Sequence, residues 1–214
     1  MKKNFKWTVA QNLELKWWKN YLKNKNVGDY LAWKKNYWLQ FLKDIEIDCN
    51  DLANKTILDA GCGPAGIFSV LNDSEVVAID PLLDNYTTLE HFDKNWYSHV
   101  DFVTTTIEEY RTNKKFDYVF CLNAINHVAD IEKAYSVLVD QLNDNGILII
   151  STDAHQHHFL KRIFKAIPGD ALHPHQYNKK EYEQFLLDRN CSILKSYSFP
   201  ANFIFDYIVW KARK

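Results

Sequence analysis

The chain of 214 residues lacks several things that would have placed it elsewhere. No uninterrupted apolar run approaches the roughly 20 residues that a membrane-spanning helix requires, so no membrane span is expected. The start, Met1-Lys2-Lys3-Asn4-Phe5-Lys6, has no apolar stretch behind it; no secretory signal is expected, and the cytoplasm is the expected location. The four cysteines, Cys49, Cys62, Cys121 and Cys191, contain no CxxC pair, which argues for reduced thiols over a disulfide framework or a zinc site. There is no internal repeat and no low-complexity tract. Net charge is also nearly absent, at -1, but the balance is uneven. Residues 1–43 hold ten lysines against Glu14 and Asp29, a local +8 that leaves -9 for the remainder. That basic segment has no arginine, the residue best suited to forked phosphate contacts. Its lysines therefore read as the solvated face of an amphipathic cap lying against an acidic body, and less as an arm for nucleic acid.

What is present begins with Thr56-Ile57-Leu58-Asp59-Ala60-Gly61-Cys62-Gly63-Pro64-Ala65-Gly66. A short β-rich run ends in an acid, three glycines follow at G-x-G-x-x-G spacing, and an apolar run from Ile67 to Leu71 comes next. The pattern predicts strand, tight turn and helix, the helix near 64–71 presenting free N–H groups to a ligand. Nineteen residues after Gly61, Asp80 closes a second apolar run, Val76-Val77-Ala78-Ile79. An acid at that distance ends the next parallel strand and can accept ribose hydroxyls. Asp59 separates the possible nucleosides. A pyrophosphate is repelled by a carboxylate beside its turn, whereas a ligand carrying an ammonium and a sulfonium is favoured by one. The residues LDAGCGPAG followed by AID resemble the first two motifs of the class I S-adenosylmethionine-dependent methyltransferases.

Elements follow in order. Helices are expected over 4–24 and 30–44, the second capped by Asp29. Five of the seven tryptophans lie before residue 40, so this lead-in is an aromatic, Lys-rich helical cap over residues 1–45 that packs on the core and can roof a pocket. Residues 46–214 form the second unit. Strands are expected at 56–59, 76–80, 100–104, 116–122 and 147–151, with helices near 86–92 and at 131–142 and an Asn145-Gly146 turn between them. A helix over 179–189 and strands near 192–198 and 203–211 close the chain. Strands alternating with helices argue for an α/β fold, a doubly wound, mostly parallel sheet. The resemblance implies a Rossmann-like, seven-stranded sheet in the order 3-2-1-4-5-7-6, the seventh strand antiparallel.

Carried over residue by residue, the resemblance implies S-adenosyl-L-methionine as cofactor. Asp59 is expected near its methionyl end, Gly61, Cys62 and Gly63 beneath it, and Asp80 on the ribose. Pro81 follows Asp80 toward the adenine. Thr106 and Ile107 stand where the family commonly has an acid and an apolar residue, so a threonine hydroxyl replaces the acid at the adenine amino group. Leu122 and Asn123 end the fourth strand near the methionyl group. The acceptor is expected to be a small molecule, methylated on oxygen or nitrogen by in-line displacement, which mainly demands alignment and exclusion of water. His127 and His155, after the carboxyl ends of strands four and five, are candidate general bases. Trp18, His158 and Tyr177 are candidate acceptor contacts. No metal is assigned to the histidines at 155–158 and 173–175, because no acidic pair accompanies them. The alternatives are a nucleic-acid methyltransferase using the basic arm, a non-catalytic S-adenosylmethionine-binding protein, and a nicotinamide oxidoreductase. The first lacks the Asn-Pro-Pro-aromatic motif of base-amino methylases: the residues after strand four are Asn123-Ala124-Ile125-Asn126. No oligomeric state is set.

Overall fold

In the computed structural model, which describes residues 5–155, 177–200 and 205–214, the sheet grows in both directions from β1 (Thr56–Ala60). On one side lie β2 (Glu75–Ile79) and β3 (Val100–Val103). On the other lie β4 (Phe116–Leu122), β5 (Leu142–His155), β7 (Phe205–Arg213) and β6 (Ser192–Pro200). The order is β3-β2-β1-β4-β5-β7-β6. Strands β1 to β5 pair in parallel, and β7 runs antiparallel to both β5 and β6. This is the doubly wound order that the resemblance implied.

Alternation along the strands explains the layers. Leu58, Val77, Val119 and Leu148 point into one buried cluster, and their neighbours Ile57, Val76, Phe120 and Ile149 point into the other. The first cluster is covered by α5 (Ile131–Asp140) and α6 (Lys179–Leu187), which contribute Tyr135, Leu138, Tyr182 and Leu186. The second is covered by α1 (Phe5–Leu22) and α2 (Val27–Asp44), through Leu22, Tyr30, Trp38, Phe41 and Leu42. Two short helices, α3 (Cys49–Leu52) and α4 (Leu83–Tyr86), fill the same face.

Several local expectations are corrected. The segment after the glycine turn is not an α-helix but two 3-10 turns, Gly63–Ala65 and Ile67–Val70, separated by an extended Gly66 (φ -73°, ψ -179°). The reason is competition for backbone groups. Asp59 takes the Phe68 N–H at 3.1 Å, and the Ser69 hydroxyl donates to the Gly66 carbonyl at 2.8 Å. The helix placed near 86–92 is instead α4, ending at Tyr86. Helix α2 starts a turn early because Asn26, not Asp29, is its cap, its side chain accepting the Asp29 N–H. Asn145 and Gly146 sit within β5, where pairing jumps from Phe116–Leu142 to Tyr118–Ile147; this is a bulge, not a free turn.

Candidate active site

The carboxyl ends of β1, β2 and β4 meet beneath the cap, and a cavity of about 650 Å³ lies between them. Its floor is the glycine turn. Gly61 has φ +74°, and a Cβ there would stand 2.3 Å from the Ala124 Cβ, so the absence of a side chain lets the end of β4 close over the turn. Gly63, at φ +58°, lies under the Trp18 ring. Between them Cys62 is buried; burial and the nearby Asp59 and Asp80 push its thiol well up, so it stays protonated.

Asp80 follows β2 and faces the cavity. Its two oxygens accept the Gly63 N–H at 3.0 Å and the Leu82 N–H at 2.8 Å. Burial raises it to about 6, those N–H groups partly opposing the rise. Asp59 is placed differently from expectation. Its carboxyl does not line the cavity; it is turned under the loop onto Phe68 N–H, where a Cβ on Gly66 would approach its Oδ2 at 2.6 Å. Burial raises it to about 7, opposed by the Phe68 N–H. Asp59 thus braces the turn and acts on the cavity only as nearby charge.

Beyond β3, Thr106 and Ile107 line the cavity. The Thr106 hydroxyl also caps a 3-10 turn by accepting the Glu109 N–H at 3.2 Å. Its neighbour Glu108, 7% exposed, accepts N–H groups from Ala129 (2.7 Å) and Asp130 (3.2 Å). That clamp fixes the segment after β4, including His127, which lines the cavity and whose backbone N–H donates to the Ala124 carbonyl at 3.0 Å. At the end of β4 stand Leu122 and Asn123, the latter left-handed at φ 57°. The Asn123 N–H donates to Ser151 Oγ at 3.1 Å, and Ser151 Oγ is 2.7 Å from the Tyr207 hydroxyl. Tyr207 comes from β7 and Asp153 from β5, and both face the cavity.

The cap closes the other side. From α1 come Gln11, Glu14, Trp17 and Trp18; from α2 come Lys34, Tyr37 and Trp38. Trp38 is anchored to the floor, its Nε1 donating to the Ala65 carbonyl at 2.9 Å. Burial, then the Asp80 charge, raises Glu14 to about 7.

Of the residues singled out in the sequence, the cavity therefore gathers Gly61, Cys62, Gly63, Asp80, Pro81, Thr106, Ile107, Leu122, Asn123, His127 and Trp18. Tyr177 is not among them: it precedes α6 and stacks edge-on against Tyr182 and Phe185 in the core on the far face of the sheet. His155 ends β5, its side chain and the whole of His158 lying outside the described residues. Sequence reasoning missed Glu14, Lys34, Glu108, Ser151, Asp153 and Tyr207. For Glu14 a signal existed, as one of only two acids in a lysine-rich segment. Among the described residues no group of three or more histidines, cysteines and acids could hold a metal, and no helix is long and apolar enough to cross a membrane.

Comparison with known proteins is consistent with this geometry. The family described as "Methyltransferase domain" matches residues 30–196. The ubiquinone biosynthesis O-methyltransferase of Rickettsia canadensis is 38% identical over 105 residues, 48% of this chain and 44% of that protein. That of Rickettsia prowazekii is 36% identical over 113 residues, 52% of this chain and 45% of that protein. The chain thus spans less than half the length of these curated relatives. Among solved structures, the N-methyltransferase NodS from Bradyrhizobium japonicum in complex with S-adenosylhomocysteine superposes with a TM-score of 0.66 at 15% identity, covering 99% of each chain. The Burkholderia thailandensis 1,6-didemethyltoxoflavin-N1-methyltransferase superposes with a TM-score of 0.65 at 16% identity, covering 100% of this chain and 91% of that one. At such identities these two speak for the fold. The chain belongs to the methyltransferase-domain family, and its fold is that of the class I S-adenosylmethionine-dependent methyltransferases.

Proposed function

We propose that the protein transfers a methyl group from S-adenosylmethionine to a small-molecule acceptor, on oxygen or nitrogen. The observation that carries this is a single cavity lined by the glycine turn, Asp80, His127, Tyr207 and Asp153 together with aromatic residues of α1 and α2. Its volume of about 650 Å³ falls in the range of small-molecule pockets, roughly 300–1,000 Å³. The named activity of the curated relatives supports a small acceptor.

The residues fit a phosphate-free, cationic nucleoside. Asp80 and Glu14 face the cavity and Asp59 lies below it, a set that repels a pyrophosphate. The Gly63 N–H, which a phosphate would need, is already given to Asp80, and no α-helix follows the turn to lend its dipole. When bound, the sulfonium supplies a methyl carbon already activated for in-line displacement. Asp80 would hold the ribose hydroxyls, and Gly61 and Gly63 would let the ligand lie against backbone. Ile107, Pro81 and Leu122 would pack on its apolar surfaces, with the Thr106 hydroxyl at the adenine edge. The cap excludes water and orients the acceptor against the floor. His127, a residue lining the cavity, would take the acceptor's proton. Burial holds the Tyr207 phenol well above its ordinary range, so it serves as a neutral hydrogen-bond donor or acceptor.

The test is transfer of labelled methyl from S-adenosylmethionine to a panel of catechols, hydroxybenzoates and amines. Label should enter a small product, and His127→Asn should lower kcat about 10²- to 10⁴-fold while leaving S-adenosylhomocysteine binding intact. Label confined to RNA, or binding without any transfer, refutes the reading.

A further inference from the structure

Ser151, toward the carboxyl end of β5, is wholly buried, and two hydrogen bonds meet on its hydroxyl. Its Oγ accepts the Asn123 N–H at 3.1 Å, a donor shared with the Ser151 carbonyl at 3.1 Å. Its second partner is the Tyr207 hydroxyl at 2.7 Å. A hydroxyl has one proton to give and two lone pairs with which to receive. Were Tyr207 the donor of the second bond, the Ser151 proton would have no acceptor, because among the described residues Ser151 Oγ has no third partner. A buried donor without an acceptor bears its full desolvation cost. The chain therefore runs one way, from Asn123 N–H to Ser151 Oγ and from the Ser151 O–H to the Tyr207 oxygen.

That direction leaves the proton of Tyr207 to be given elsewhere. Among the described residues no other group hydrogen-bonds the Tyr207 hydroxyl, and Tyr207 lines the cavity. Burial keeps the phenol neutral, so it retains that proton. The charged residues lining the cavity are Glu14, Lys34, Asp80, Glu108 and Asp153, and Asp153 is the one whose charge is felt at the Tyr207 phenol. Asp153 stands directly opposite Tyr207 in the pairing of β5 with β7, so both side chains leave the same face of the sheet. An anionic oxygen brought to Tyr207 is repelled by that carboxylate, whereas a neutral oxygen is not.

We propose that Tyr207 is a specificity-determining residue whose hydroxyl donates a hydrogen bond to a neutral carbonyl oxygen of the methyl acceptor. The assignment rests on the methyl-transfer reading above and adds to it a feature of the acceptor. Ser151 serves as a positioning residue, because its proton fixes which way the Tyr207 hydroxyl points. The same hydroxyl of Ser151 holds Asn123, left-handed at φ 57°, so the group that reads the acceptor is joined to the end of β4.

Calorimetry on the S-adenosylhomocysteine-loaded protein tests it with two catechols of similar size. One is 3,4-dihydroxybenzaldehyde, which has a carbonyl; the other is 4-ethylcatechol, which does not. In mildly acidic buffer, where both are neutral, the aldehyde should bind the unaltered protein about five- to fifty-fold tighter. Tyr207→Phe should remove that preference by weakening the aldehyde, while 4-ethylcatechol and S-adenosylhomocysteine change by less than about two-fold. Ser151→Ala, which lets the Tyr207 hydroxyl turn, should reduce the preference without abolishing it. No preference in the unaltered protein, absence of binding by both catechols included, overturns the proposal, and this comparison needs no variant to fold. A preference untouched by either substitution overturns it as well. So does a preference for 4-(aminomethyl)catechol that Tyr207→Phe abolishes, since the chain would then run the other way. Weaker S-adenosylhomocysteine binding in Tyr207→Phe, with the catechol preference intact, would give the hydroxyl to the methyl donor and overturn the acceptor assignment. Absence of S-adenosylhomocysteine binding in the unaltered protein would instead refute the methyl-transfer reading itself.

Discussion

Replacing Gly61 by alanine sets two measurable costs against one gain. The backbone there has φ +74°, and the left-handed region costs an L-residue about 1–2 kcal/mol. The new Cβ would also stand 2.3 Å from the Ala124 Cβ, more than 1 Å inside ordinary contact. Ala124 has no rotamer with which to yield, so backbone must move, at the roughly 1–3 kcal/mol typical of overpacking. Restricting the unfolded chain returns about 0.4–1 kcal/mol. The net expectation is a loss of about 2–4 kcal/mol. Because the moving segments are the glycine turn and the end of β4 at Asn123, S-adenosylhomocysteine affinity should fall with stability. Urea unfolding followed by fluorescence, with calorimetry on the same samples, measures both. Gly28→Ala is the control: Gly28 lies in the first turn of α2 with its nearest atom, Asn26 Oδ1, at 3.4 Å, and it should be neutral or stabilising by up to about 1 kcal/mol. The double variant Gly61→Ala/Ala124→Gly removes the clash but keeps the strained φ, so it should recover the steric part only. Stability and affinity of Gly61→Ala equal to the parent's would refute the reasoning. So would a double variant no better than the single one, since the contact would then not be the source of the loss.

Two further predictions concern the supports of the cavity. Burial raises Asp59 and Glu14 to about 7 and Asp80 to about 6, against about 4 in an unfolded chain. The folded state binds these protons more tightly, so their contribution to stability is fullest below about pH 4, is lost as pH rises through about 4 to 7, and is level above that. The melting temperature of the ligand-free protein should fall between about pH 5 and 7.5, and Asp59→Asn should flatten the fall; parallel curves for the two proteins would contradict the assignment. Asp117, held below its ordinary value by N–H and hydroxyl donors from Thr56 and Asn143, acts in the opposite sense only at lower pH. Trp38→Phe removes the Nε1 bond and leaves the Ala65 carbonyl without it, which should cost about 1–3 kcal/mol in chemical unfolding. An unchanged unfolding midpoint would show that the cap does not depend on that anchor.

By itself the sequence determined the frame. Buried parallel strands are legible as apolar runs, and the glycine turn is legible because two of its positions need a backbone that side chains resist. The spacing from Gly61 to Asp80 fixes an acid at the next strand end, which the fold then sets beside the turn. These are local demands of the chain, and neighbouring residues carry them. Tertiary structure alone decided the rest. Lys34, Glu14 and Tyr207 share a cavity only because α1, α2 and β7 pack onto one sheet edge from opposite ends of the chain. It also decided against two local readings. The segment after Gly66 has a helix-like apolar run, but Asp59 and Ser69 capture its backbone groups. Tyr177 has the chemistry of a pocket residue, but its ring is taken up by the core of α5 and α6. Propensity and spacing act over a few residues, whereas cavity walls and charge pairs are set by contacts between segments far apart in the chain.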